Sequence, residues 1–120
     1  MSVQDRGTID YLAIESGSGR VVLAISDHLD WTEPKQHLYV LQEKLNTYIS
    51  FVESGQVWEE ASTRAGKEIT SGGSEVVVRV FLRHEPPQLF HDFLDHVNNA
   101  VQALKLSVHY EVRSTEMPSA

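Results

Sequence analysis

The sequence predicts an α+β fold, a two-layer sandwich in ββαβαβ order, with a mixed four-stranded sheet and two helices on one face. Three observations predict it. Four short runs alternate with the two-residue period of a strand, and two longer runs repeat apolar residues every three or four positions, as a one-sided helix does. A short glycine-containing loop joins the first two strand-like runs, whereas helix-length connections separate the later ones. Both antiparallel and crossover pairings are therefore required.

The first strand-like run extends from about Thr8 to Ile14, and Gly17-Ser18-Gly19 turns it into a second, Arg20 to Ser26, whose centre is the apolar string Val21–Ile25. This glycine loop is no phosphate cradle, because it leads into a strand and not into a helix N-terminus. From Pro34 to Glu53 the stripe Leu38, Leu41, Leu45, Ile49 and Val52 marks the first helix. Asp30 or Thr32 can cap it, Pro34 suits its first turn, and Gly55 supplies a left-handed stop. Val40 and Phe51 fall on a second arc together with His37 and Lys44. Residues 56–74 are polar and rich in serine and glycine, and are expected to form a loop anchored by Trp58 and Ile69.

Glu75 to Arg83 is the most β-prone run. Val76, Val78, Val80 and Leu82 lie on one face and Val77, Arg79 and Phe81 on the other, so a central strand is expected. Pro86-Pro87 opens the second helix, with Leu89, Phe90, Phe93, Leu94, Val97, Val101 and Leu104 along its stripe. Leu106, Val108, Tyr110 and Val112 then alternate with polar residues, the pattern of a half-exposed edge strand. Residues 1–113 are expected to form one domain, followed by a flexible tail over 114–120.

The composition excludes several functional classes. With 120 residues, 41% hydrophobic and 22% charged, the chain reads as one ordinary globular unit. Its 10 basic residues are scattered among 17 acidic ones, for a net charge of −7. No lysine-arginine patch is apparent to displace counterions from phosphates, so neither nucleic acid nor an anionic membrane is an expected partner. Cysteine is absent, which removes disulfides, thiolate metal sites and thiol nucleophiles together. Met1–Thr8 has no apolar stretch of a secretory signal, and no run approaches a membrane span, so a cytoplasmic location is expected. No cofactor-binding motif is present, and no cofactor is expected.

The string from Ile25 to Trp31 (ISDHLDW), the helix from His37 to Gly55 (HLYVLQEKLNTYISFVESG) and Glu85-Pro86-Pro87 resemble a bacterial family of small uncharacterised proteins, a domain of unknown function. Its members run from an opening strand pair into the SDHLDW turn and an LQEKLN-type helix. The resemblance implies one compact domain and brings no activity with it.

Asp27, His28, Asp30, Trp31, His37 and His84 form the candidate ligand or polar site. They lie at two strand-to-helix turns, where open α/β sheets gather ligands. If the two strands are adjacent and parallel, both turns open on one sheet edge. Imidazole with carboxylate suits a divalent transition metal, or a general base with its orienting partner. The spacing D-H-x-D is no established metal signature, so neither a metal nor a catalytic residue is assigned. A plain structural account competes: Asp27 bonds backbone amides in the turn, Asp30 or Thr32 caps the helix, His28 packs beside Trp31, and His37 flanks the buried stripe. His91/Asp95 and Asp92/His96 read as helix pairs on the solvent side, and His109 as exposed. Ser26 lacks a nucleophile elbow.

Two helices cover one face of four strands, yet Leu12/Ile14, Val22/Ala24 and Val77/Phe81 make the other face partly apolar as well. Either the 56–74 segment folds over it with Trp58, or a second subunit does. The sequence thus points to a small non-catalytic binding or interaction domain, with a homodimer through the second sheet face or a helix flank as the alternative to the intrachain cover. The alternative is a metal-assisted or acid/base enzyme using the Asp27/His28/Asp30 turn.

Overall fold

In the computed structural model, which describes residues 7–69 and 75–113, strands β1 (Leu12–Ile14) and β2 (Val21–Asp27) form the antiparallel hairpin. Gly17 and Gly19 turn it with φ of 94° and 76°, values that a side chain disfavours. Helices α1 (Pro34–Glu53) and α2 (Gln56–Ala65) lead to β3 (Val76–Leu82), and α3 (Gln88–Val101) with a 3-10 turn leads to β4 (Leu106–Val112). Strand order in the sheet is β1-β2-β3-β4, with β2, β3 and β4 parallel. The mixed four-stranded α+β architecture expected from the pattern is present, with three helices in place of two.

The additional helix is α2, which replaces the first part of the loop expected over 56–74. Residues 70–74 lie outside the described residues, as does the tail expected over 114–120. Its apolar signal is small, because only Val57 and Ala61, four positions apart, are buried. Helix-forming residues and two left-handed glycines define it instead: Gly55 (φ 86°) stands before it and Gly66 (φ 69°) after it. Gly55 therefore separates two helices as well as ending the first. No helix among the described residues is long and apolar enough to cross a membrane.

All three helices pack on one face of the sheet. Leu41, Leu45, Tyr48 and Val52 of α1, Val57 and Ala61 of α2, and Phe90 and Val101 of α3 join one core with Leu12, Val21, Leu23, Ile25, Val78 and Val80. Leu12 and Ile14 thus belong to the core face, and not to the second face that their pairing with Val22 and Ala24 had implied. The buried stripe of α1 is also rotated from the expected one. His37 and Lys44 are buried, whereas Leu38 and Ile49 sit half-exposed at its margin.

Lys44 avoids the cost of burial through local oxygens. Its Nζ donates to the Thr8 carbonyl at 2.8 Å and lies 3.0 Å from Asp10 Oδ2, an ion contact without hydrogen-bond alignment. Beside it, Tyr48 Oη donates to the Ala24 carbonyl (2.7 Å) and accepts from the Asp10 amide (3.1 Å). Burial pushes the Tyr48 phenol up to about 12 from its ordinary 10.0; the Asp10 amide opposes the shift and the Asp10 charge adds to it. A neutral phenol with a raised value stabilises the fold fully below pH 10, and that contribution is lost as pH rises from about 10 to 12. Urea midpoints followed across this window should fall for the wild type, and the fall should be smaller in Tyr48→Phe.

Both sheet edges carry side-chain covers. The Leu12 carbonyl on the outer side of β1 accepts from Arg64 Nη1 at 3.3 Å. On β4, Asn98 bonds both backbone groups of Val108: its Nδ2 donates to the carbonyl (2.9 Å) and its Oδ1 accepts from the amide (2.8 Å).

Candidate functional site

Strands β2 and β3 are adjacent and parallel, so the turns that follow Asp27 and Leu82 do open on one sheet edge. A direct bond ties them, since Trp31 Nε1 donates to the His84 carbonyl at 3.2 Å. Asp27 is the last residue of β2 and alternation turns it toward the core, where it is 2% exposed. His37 enters from the first turn of α1, Pro34 having started that helix without a side-chain cap. Nε2 of His37 and Oδ2 of Asp27 lie 2.6 Å apart.

The geometry sets the protons of this pair. His37 Nδ1 is 2.9 Å from the Asp30 carbonyl, which can only accept, so Nδ1 carries a hydrogen. A further proton lies between Nε2 and Oδ2, and the pair is neutral overall wherever that proton sits. The other oxygen of Asp27 accepts from the Leu29 amide at 3.1 Å. Both ring nitrogens and both carboxylate oxygens are therefore engaged. Trp31 closes the top of the pair by stacking on the imidazole, with ring centroids 3.6 Å apart and planes at 18°. It also meets Phe90 edge-on, and Phe90 in turn meets Tyr110.

Asp30 performs a different task from the expected helix cap. Its Oδ1 accepts from the Thr32 hydroxyl and, at 3.1 Å, from the Thr32 amide. The Thr32 hydroxyl, then its amide, and then the charges of His84 and His37 hold the Asp30 carboxyl below its usual value. His28 is exposed and does not pack beside Trp31, whose stacking partner is His37. The structure thus joins Asp27, Asp30, Trp31 and His37 into one clasp, attaches His84 through its backbone, and leaves His28 outside. His91 also departs from its expected place, because its ring meets Phe90 and Tyr110 edge-on.

A dyad in which every ring nitrogen is bonded has no site for accepting a substrate proton. Among the described residues, no three His, Asp or Glu side chains converge where they could hold a metal ion. The chemistry of the turn is spent on joining β2, α1 and the β3–α3 connection.

On the opposite side of the sheet no described helix packs. Register places Ala13, Val22, Val77 and Ser107 in one row, Ala24, Arg79 and His109 in the next, and Ser26, Phe81 and Glu111 beyond. Val22, Val77 and Phe81 have no part in the core described above. Of the 56–74 segment, one of the two covers considered, residues 56–65 are helical and Trp58 and Ile69 pack on the core side, while residues 70–74 lie outside the described residues; no described element lies over this face. Two adjoining troughs of about 440 and 430 Å³ run along it. Tyr11, Ala24, Ser26, His28, Phe81 and Arg113 line them, with the Arg113 guanidinium 4.4 Å from the Phe81 ring centroid. Sequence reasoning found the apolar members of this face but missed Tyr11 and Arg113, which stand just outside the strand cores.

No curated protein and no solved structure matches the chain. A family model does match, across residues 1–114. The chain belongs to that family, a family of unknown function designated DUF6572.

Proposed function

We propose that this protein is a non-catalytic binding domain and that the uncovered face of its sheet is the surface it presents. The observation that carries this reading is the placement of all three helices on one side, which leaves Val22 and Phe81 partly exposed on the other, with no described element above them. Apolar side chains retained on such a face contribute little to folding and gain their burial from a partner. The Asp27–His37 clasp supports the same reading, since its polar atoms hold the turn together and have no free position for a reacting group. A cytoplasmic, bacterial setting, as read from the sequence, is part of this proposal.

The face and the core differ in what truncation should cost. Phe81 is partly buried beneath Arg113, so Phe81→Ala is expected to lower stability by about 1–2 kcal/mol, below the cost of truncating a fully buried phenylalanine. Leu23→Ala, one strand over and facing the helices, should cost about 2–5 kcal/mol. Urea unfolding of the two variants compares them directly. Equal losses would show that the second face is held by the fold itself and would remove it as a binding surface.

A further inference from the structure

We propose that the occupant of this face is an acidic, partly apolar stretch of polypeptide lying extended along β2; this rests on the binding-domain reading above. Charge on the molecule is distributed unevenly. The chain carries 17 carboxylates against 10 basic side chains. At the end of the face where the parallel strands finish, the balance reverses. Arg79 stands at the centre of β3 beside His109, and Arg83, Arg113 and His28 line the far end. Three carboxylates adjoin the groove and each already has a partner: Glu111 Oε2 is 2.6 Å from Arg113 Nε, Asp10 lies 3.0 Å from Lys44 Nζ, and Asp27 is 2.6 Å from His37 Nε2.

Shape agrees with charge. Ala24 and Ser26 are small and sit between Tyr11 on one side and Phe81 with Arg113 on the other, so the face is grooved along β2. From Ala24 to His28 the groove is roughly 13 Å long, the reach of about four extended residues. Tyr11 is 54% exposed at its wall. A chain laid there would bury apolar side chains against Phe81 and Ala24 and offer carboxylates to the arginines, whose planar guanidinium groups accept them two-pronged. A second copy docked face to face by two-fold symmetry would bring the arginine-rich end against itself or against the end where Glu15 is already paired with Arg20 at 2.7 Å. Nucleic acid would have to approach a chain of net charge −7.

The test is fluorescence anisotropy with three labelled probes: a peptide of alternating Glu and Phe, its Lys/Phe counterpart, and oligouridylate. The acidic peptide should bind most tightly and weaken as salt rises. Arg79→Glu should reduce its affinity by about tenfold or more. Ser26→Trp, which fills the groove without changing charge, should abolish binding while its melting curve stays close to wild type. Preference for the Lys/Phe peptide, or for oligouridylate, would overturn the inference. So would a doubled mass in light scattering that Ser26→Trp returns to 13.5 kDa, since a second copy would then be the occupant and only the binding-face reading would stand. Failure of every probe, with no self-association, would remove both.

Discussion

Asp27→Ala should unfold in urea with a loss of about 3–5 kcal/mol, the scale found when one partner of a buried pair is removed. The cause is local and specific. His37 Nε2 would face an emptied pocket at a position that is 3% exposed, with Trp31 stacked over the ring. The Leu29 amide would lose its acceptor at the same time. Asp27→Asn provides the decisive comparison. Its carbonyl can keep the Leu29 amide while its NH2 donates to Nε2, the ring nitrogen that is free to accept once Nδ1 holds the hydrogen. That variant should therefore lose only about 1 kcal/mol, the net worth of an ordinary hydrogen bond. Equal losses in the two variants would mean that the pair depends on charge and not on the match of donors and acceptors.

Phe90→Ala is expected to cost about 3–5 kcal/mol as well, through packing in place of polarity. Phe90 is fully buried, and its ring meets Trp31 at 5.6 Å and Tyr110 at 5.2 Å between centroids. It is thus the piece through which α3 holds both the clasp turn and β4. Truncation should also loosen Trp31, visible as a weakened indole signal in near-ultraviolet circular dichroism under conditions where the chain remains folded. Phe90→Leu, which keeps most of the volume, should lose less than about 1.5 kcal/mol. A near-ultraviolet spectrum identical to wild type in Phe90→Ala would show that the turn is held by the Asp27–His37 bond alone.

Much of this architecture was readable before any coordinates. Apolar periodicity depends on burial, and burial is nearly complete on the facing sides of β2, β3 and α1, so Leu23, Val78 and Leu41 announced their elements plainly. α2 was concealed because it buries only Val57 and Ala61, with Trp58 partly packed beside them, and its other seven residues are mostly polar. The rotated face of α1 was concealed for a related reason. His37 and Lys44 are polar by type, and only their partners, ten residues back at Asp27 and far back at Thr8 and Asp10, make them interior. Asp27, Asp30, Trp31 and His37 meet at one sheet edge with the His84 backbone, while His28 stands apart, and none of this pairing could be read from the chain. Spacing along a chain says where an imidazole lies and nothing about which of its nitrogens are occupied. The groove wall was harder still, since Tyr11 and Arg113 come from opposite ends of the chain and meet the face from its two outer strands.

The covers on the two sheet edges have a consequence for how copies of this protein meet in a crowded solution. A neighbouring chain that tried to extend the sheet sideways would find the Leu12 carbonyl already taken by Arg64, and both Val108 groups already taken by Asn98. Lateral growth, the route by which exposed strands seed fibrils, is interrupted in mid-strand on both borders. Contacts perpendicular to the sheet plane meet no such obstacle. The molecule is thereby open to a partner along one direction in space and guarded along another, which lets an apolar plane stay available without becoming the start of an endless ribbon.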